Sequence, residues 1–378
     1  MPVDHRCIDK ISETNMKILP QPDVPIRCRE FRIGAIGAGF IMSEVQLEAY
    51  REANFSVLAI ASRTRSKAEA AAKRYGILTV HDTPEDLIRD PRVEIVDIAF
   101  PPDMQPGLIR LALQQPHIKG ILAQKPLALD FVTAREPARE CRTSGKRVSV
   151  NQNMRFDQSM RVLKQILDNG ELGLPVLATI EMRAIPHWQG FLKQYGRLTL
   201  LNMSIHHLDV LRFLFGEPID IFSAARPDPR TEFAHTDGIV CSTLRFQNGL
   251  MAVSLEDVWS GPREANFASD TYIKWRVEGT EGLAQGSIGW PDYPAGSPST
   301  LRYCSRRTTD GRWIEPTWGT CWFPQAFAGV MEQLQWALKS NQPPMLGVDD
   351  NLRTMALVEA GYRSMAERRT VLLAEFEV

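Results

Sequence analysis

Two glycines at a strand-to-helix junction carry the first chemical signal. In Gly34-Ala35-Ile36-Gly37-Ala38-Gly39-Phe40-Ile41-Met42 a short apolar strand runs into a helix. Gly37 suits the tight turn, and Gly39 lets a pyrophosphate approach the backbone. The helix N-terminus offers free N–H groups and a partial positive charge to the phosphates. The third position of the G-x-G-x-x-G pattern is Met42, so the pattern is incomplete there. A bare GxG also serves as a structural turn. The strand before it and the helix after it are what favour dinucleotide binding. The second strand ends at Ala61-Ser62-Arg63-Thr64, with no acid for the ribose hydroxyls of NAD. Two hydroxyls and a guanidinium suit the 2′-phosphate of NADP. Arg63 stacked on an adenine fits NAD as well, so the expected cofactor is NADP or NAD, with NADP favoured.

Other side chains of reactive type stand near element ends. Lys125 lies in Gln124-Lys125-Pro126 at the close of an apolar strand. Asn202 and His206 are four residues apart, so a helix puts both on one face. His207 is adjacent to His206 and therefore faces elsewhere. Aromatic and polar residues cluster in His187-Trp188-Gln189, in Asp257-Val258-Trp259, at Arg263 and in Trp322-Phe323-Pro324. Indoles stack on the C–H faces of sugars, while Asp, Arg and Gln read hydroxyl edges, so a carbohydrate-like ligand is expected. Asn153 and Arg155 are placed beside that cleft, against the alternative of a salt-bridged or capping role at a domain junction. The His206/Asp209 spacing lacks a third ligand, so no metal is expected.

These residues need a scaffold, and the pattern from Phe31 onward supplies one. Apolar runs at 31–36, 55–61, 93–100, 118–123 and 148–150 alternate with helical stretches at 44–52, 66–75, 108–114 and 131–143. Such alternation predicts a parallel sheet covered on both faces. Past residue 151 a helix over 158–169 leads into longer alternating strands at 176–184, 219–225, 238–246, 251–258 and 272–278. Asn248-Gly249 marks a hairpin turn. Helices follow at 327–339 and 349–366, and 289–319 reads as a long loop region. The fold class is therefore α/β, a doubly wound parallel sheet joined to an α+β domain with a large, open, mostly antiparallel sheet. Residues 1–29, with Pro20, Pro22 and Pro25, read as an arm that is disordered or lies on a partner subunit. The expected domains are 30–152 and 153–378.

The 378 residues, with 44 Lys+Arg against 45 Asp+Glu, carry a net charge of −1. Such a chain has no global field for nucleic acid or an anionic membrane. No apolar run approaches the ~18 residues of a spanning helix. Six scattered cysteines form no CxxC pair, which argues against a disulfide or zinc scaffold. With no apolar leader segment at the N-terminus, a cytoplasmic location is expected.

Taken in order, Phe100-Pro101-Pro102, Gln124-Lys125-Pro126, Asn153-Met154-Arg155-Phe156, Asn202-Met203-Ser204-Ile205-His206-His207-Leu208-Asp209 and Leu211-Arg212-Phe213-Leu214-Phe215-Gly216 resemble the glucose–fructose oxidoreductase/inositol dehydrogenase (Gfo/Idh/MocA) family. The resemblance spans nearly all of the chain from Phe31. It implies a Rossmann domain paired with an α/β domain whose open sheet makes a homo-oligomer interface, as dimer or tetramer. It also implies oxidation of a sugar, polyol or sugar-derivative hydroxyl with NAD or NADP. Lys125 matches the family's Glu-Lys-Pro lysine, which holds the reacting oxygen. His206 matches the general base, and Asn202 the residue that grips a neighbouring hydroxyl. The expected cofactor set is Gly37, Gly39, Phe40, Ile41, Ser62, Arg63, Thr64, Phe100, Pro101, Gln105, Gln124 and Lys125. The substrate set is Asn153, Arg155, His187, Trp188, Asn202, His206, Asp257, Trp259 and Trp322.

Hydride transfer from a C–OH needs a base near the proton and a cation beside the oxygen, and His and Lys fit those tasks. The sequence departs from the family at two carboxylates, which are Gln124 and Asn202 here. Their loss is expected to lower the proton affinity of both Lys125 and His206. Asp209 is a candidate to orient the His206 ring instead. Two other readings stay open: a non-redox glycoside-processing enzyme that retains its cofactor, and a catalytically silent ligand sensor.

Overall fold

A computed structural model describes residues 21–184, 190–257, 271–289 and 296–377. The first half alternates as β1 (Ile33–Ile36), α1 (Leu47–Glu52), β2 (Val57–Ala61), α2 (Arg65–Tyr75), β3 (Thr79–His81), α3 (Pro84–Arg89), β4 (Ile95–Ile98), α4 (Gln105–Leu113), β5 (Gly120–Ala123), α5 (Phe131–Ser144) and β6 (Arg147–Val150). The six strands are parallel, in the order β3-β2-β1-β4-β5-β6. β1 and β4 are fully buried, as a strand covered on both faces must be. The strand order reverses between β1 and β4, and the crevice at their carboxyl ends is where such sheets bind ligands.

The second half contains α6 (Gln158–Asp168), β7 (Pro175–Arg183), α7 (Ile205–Phe215), β8 (Pro218–Arg226), β9 (Ile239–Phe246), β10 (Met251–Asp257), β11 (Tyr272–Gly279), β12 (Gly282–Ile288), β13 (Thr300–Ser305), α8 (Phe327–Ser340), α9 (Val348–Glu367) and β14 (Val371–Leu372). Its strands form a mixed sheet in the order β13-β12-β11-β7-β10-β9-β8-β14, antiparallel except for β7 beside β10. Ala178, Ile180 and Met182 of β7 face the helices and are buried, while Leu177, Ile219, Phe222 and Met251 are exposed. One face is therefore packed and the other open.

Several elements, among them β3, α3, β12, β13 and β14, differ from the sequence expectation. β3 and α3 fill the stretch between the second and third expected strands. β13 lies inside the segment read as a loop over 289–319. Residues 21–29, expected to belong to a disordered or partner-bound arm, lie on the chain's own helices. There Arg27 Nε donates to Glu332 at 2.9 Å, Gln158 donates to Asp23 at 2.9 Å, and Cys28 is buried. The rest of that arm lies outside the described residues.

Two buried carboxylates fix helix starts in the second half of the chain. Asp237 accepts from the backbone N–H of Leu198 at 2.9 Å and of Leu200 at 2.8 Å, and from Tyr362 Oη at 2.8 Å. It thereby satisfies free donors of the turn that leads into α7. Asp157 caps α6 by accepting from the N–H groups of Ser159 and Met160.

Candidate active site

A cleft of about 440 Å³ opens at the β1/β4 crevice and runs to the second domain. Its first wall is the glycine loop. Gly37 has φ +113°, and a Cβ there would meet the Ala99 carbonyl oxygen at 2.7 Å. Both the turn and the close approach of β4 therefore require glycine. A Cβ on Gly39 would meet nothing within 4 Å, so this glycine leaves open space toward the cleft. Met42, at the incomplete third position, is fully buried, where a wide π-type turn over Ile41–Gln46 precedes α1. An open cradle at a helix start fits a pyrophosphate.

Ser62, Arg63 and Thr64 line the same cleft with Phe40, Ile41, Phe100 and Pro101. The Arg63 guanidinium lies 5.7 Å from the centre of the Phe100 ring. Lys67, on the first turns of α2, joins them and was not anticipated. Its sequence signal is a basic residue one turn after Ser62-Arg63-Thr64.

At the other end, Lys125, Asn202 and His206 come together. Lys125 Nζ donates to the Asn202 backbone oxygen at 2.7 Å and to its Oδ1 at 3.2 Å. The lysine keeps a partly exposed face to the cleft, but desolvation brings its pKa down to about 7. His206 makes no hydrogen bond among the described residues, and its Nδ1 is buried without a partner. Burial first, and then the charges of Lys125 and His207, hold its pKa well below 6.5. Burial is the leading cause of both shifts. The Lys125–Pro126 peptide is cis. Trp322 meets the His206 ring edge-on at 6.3 Å, and its Nε1 donates to Asn153 Oδ1 at 3.0 Å. Asn153 and Trp322 thus form one wall.

Other expected site residues lie elsewhere. Arg155 is buried, with Nε and Nη2 each 2.6 Å from Asp209 and Nη2 also 2.6 Å from Asp350. Two carboxylates engage it, so it ties α7 to α9 rather than lining the cleft. The same pairing removes Asp209 as an orienting partner of His206. Asp257 pairs with Arg230 at 2.6 Å outside the cleft wall. Gln105 is fully buried. Its Nε2 donates to the Gln124 and Pro126 carbonyls at 3.1 and 2.9 Å, and its Oε1 accepts from Gln124 N at 2.6 Å. Gln105 therefore clamps the lysine loop instead of lining the cleft. His187, Trp188, Trp259 and Arg263 lie outside the described residues.

Gln124 is also held from behind. Its Nε2 donates to Gln46 Oε1 at 3.1 Å, and Gln46 Nε2 donates to Asp97 at 2.7 Å, beside Tyr50 Oη at 2.7 Å. Asp97 sits inside an apolar strand, and burial raises its pKa to about 7. Its folded pKa exceeds the ordinary 3.8, so it stabilises the fold least once it must ionise. Stability is lost progressively as pH rises from about 4 through 7, by at most on the order of 4 kcal/mol. In Asp97→Asn the amide keeps both acceptor contacts and titrates no proton. Thermal melts across pH are expected to show the variant's advantage over wild type growing between pH 4 and 8. A constant difference would exclude an ionising Asp97.

The six-stranded parallel sheet, with its glycine loop at the switch point, and the adjoining mixed-sheet domain define a two-domain α/β fold with a crevice suited to a dinucleotide. Residues 31–152 match "Oxidoreductase family, NAD-binding Rossmann fold" of GFO_IDH_MocA, and residues 160–285 match "GFO/IDH/MocA C-terminal domain". The chain belongs to the Gfo/Idh/MocA family. It is 27% identical to the D-apiose dehydrogenase of Paraburkholderia graminis over 361 residues, covering 92% of this chain and 91% of that one. It is 23% identical to the myo-inositol 2-dehydrogenase of Thermotoga maritima, covering 91% and 99%. The crystal structure of an oxidoreductase from Agrobacterium radiobacter in complex with NAD+, L-tartaric acid and magnesium is similar, with a TM-score of 0.77 at 22% identity and coverage of 92% and 99%. That last likeness speaks to fold. The chain is thus an NAD(P)-dependent oxidoreductase of a family that includes sugar and inositol dehydrogenases. Among the described residues no group of side chains is set to hold a metal, and no helix is long and apolar enough to cross a membrane.

Proposed function

We propose that this chain moves a hydride between NAD(P) and a hydroxyl carbon of a sugar, polyol or sugar derivative. The convergence of Lys125, Asn202 and His206 at the far end of the glycine-loop cleft carries this reading. When bound, the oxidised nicotinamide supplies the two-electron acceptor for the hydride. In oxidation the substrate loses one C–H and one O–H bond and becomes a carbonyl compound. Lys125 Nζ, with two contacts to Asn202, has a third N–H for the reacting oxygen, and its charge stabilises developing alkoxide. The His206 imidazole is neutral near pH 7 and makes no hydrogen bond among the described residues, so it is available to take the hydroxyl proton. Asn202 holds Lys125 and offers its amide to a neighbouring hydroxyl. The apolar walls from Trp322 and Phe323 exclude water and face sugar C–H surfaces.

A ternary structure with cofactor and a bound polyol tests this directly. The reacting hydroxyl is expected within hydrogen-bond reach of both Lys125 and His206. A separation above about 5 Å from both contradicts the mechanism.

The cofactor is NADP in preference to NAD, supported by Ser62, Arg63, Thr64 and Lys67 with no acid among them. Arg63→Ala is expected to weaken NADP binding about 10- to 100-fold and NAD binding little, since a forked phosphate contact contributes about 1.5–3 kcal/mol. Equal losses for both in calorimetric titrations would instead place Arg63 on the adenine. The open sheet face, with Leu177, Phe222 and Met251 exposed, supports self-association through that face.

A further inference from the structure

His207, the neighbour of the expected base, has no role in the reading above. It is fully buried, and it is one of the residues lining the cleft. Its Nδ1 lies 2.7 Å from Glu256 Oε1. A carboxylate accepts, so Nδ1 carries the proton and donates. Ser254 Oγ donates to the same carboxylate oxygen. Both His207 Nε2 and Glu256 Oε2 are buried with no partner among the described residues. Buried polar atoms without partners are uncommon and costly, by about 1–3 kcal/mol each. Of the two, His207 Nε2 belongs to a residue that lines the cleft.

Sheet register supplies the surroundings. Ser254 and Glu256 are two apart on β10 and share its inward face. Glu256 pairs with Met182 of β7, and Met182 pairs with Ile273 of β11. Met182 and Ile273 line the cleft too. The sheet-side floor is therefore an apolar row, Ile273 and Met182, that ends in the Glu256-backed imidazole. Lys125 and Asn202 bound the cleft with the adjacent His206. His207 lies one residue further along α7, turned about 100° by helix geometry. It thus meets a different part of any ligand held at Lys125.

We propose that His207, oriented by Glu256, is a second hydroxyl-binding site, which holds a substrate hydroxyl distant from the reacting carbon and so sets substrate choice. Met182 and Ile273 cover the adjoining C–H surface. A hydroxyl both donates and accepts, so it satisfies Nε2 in either protonation state. Glu256 is a positioning residue: it fixes the tautomer and ring plane and does not touch the ligand. This inference rests on the carbohydrate reading of the cleft.

The test is calorimetric binding to NADP-loaded protein of D-glucose, D-apiose, myo-inositol and the monodeoxy analogues of whichever binds. The proteins are wild type, His207→Leu, His207→Gln and Glu256→Gln. NADP affinity is measured alongside and is expected to stay near wild type, while the unfolding temperature is expected to fall most for His207→Leu, which strips the buried Glu256 carboxylate of a donor. His207→Leu is expected to lose about 10- to 100-fold in probe affinity. One deoxy analogue is expected to bind wild type weaker by a similar factor, yet His207→Leu no weaker than the parent probe. His207→Gln, with a polar atom in reach, recovers part of the loss, and Glu256→Gln falls between. Unchanged affinity in His207→Leu, or losses that add for every deoxy analogue, overturns the second site while leaving the carbohydrate reading in place. Failure of wild type to bind any probe overturns both. If His207→Leu does not fold, the comparison of wild type with His207→Gln across the deoxy series decides the same point.

Discussion

Lys125→Met is expected to lower kcat/KM by about 1,000-fold, or about 4 kcal/mol of transition-state stabilisation. Methionine matches the length and apolar stem of lysine, so the loop clamped by Gln105 should stay in place. The ammonium alone is removed, and with it the cationic donor placed beside Asn202. NADP affinity is expected to change less than tenfold, because the glycine loop and the Ser62–Lys67 cluster are at the other end of the cleft. Steady-state kinetics with parallel cofactor titrations check this. A tenfold or smaller loss of kcat/KM would show that Lys125 does not hold the reacting oxygen.

His206→Asn is expected to cost about 100- to 10,000-fold in kcat, the range for loss of a general base. Its pH dependence is the sharper readout. The free protein needs neutral His206 and protonated Lys125. His206 titrates well below 6.5, so its acid limb lies below that pH. Lys125 has a lowered pKa of about 7, so its cation is full below 7 and lost above it. The profile of kcat/KM should therefore fall on the alkaline side from about pH 7. In Asn202→Asp a carboxylate replaces the amide next to Nζ. This favours the charged lysine and moves the alkaline limb up by about one pH unit or more. Identical limbs in wild type and Asn202→Asp would contradict the claim that the missing carboxylate tunes this site. A rising limb near 7 that vanishes in Lys125→Met would instead make the lysine the base.

Much of this arrangement is legible locally. The glycine loop, the apolar strands and the alternating strands are set by short-range periodicity, and each falls within a few residues of its expected place. Lys125, Asn202 and His206 stand at element ends in an ordered set of motifs, and the fold brings them together. What escaped depends on partners far along the chain. Arg155 looks like a cleft residue until Asp209 and Asp350, 54 and 195 positions away, engage it. Asp97 is hidden in an apolar run, and only Tyr50 and Gln46 across the core make its burial tolerable. His207 reads as a structural neighbour of His206 until Glu256 is seen behind it, 49 residues on. Gln105 looks like a cofactor contact, but its backbone partners at 124 and 126 turn it inward. β13 is a six-residue edge strand in a segment rich in Pro and Gly, so turn chemistry masked its period.

The central claim is net hydride transfer at a hydroxyl carbon. Its most direct test is to incubate the protein with NADP or NAD and a panel of sugars, polyols and glycosides while following nicotinamide absorbance and analysing products. Cofactor reduction is expected with at least one sugar or polyol, in stoichiometric step with a carbonyl product, faster with NADP, and lost in Lys125→Met. Glycoside cleavage with no net absorbance change, or ligand binding with no product, would contradict it.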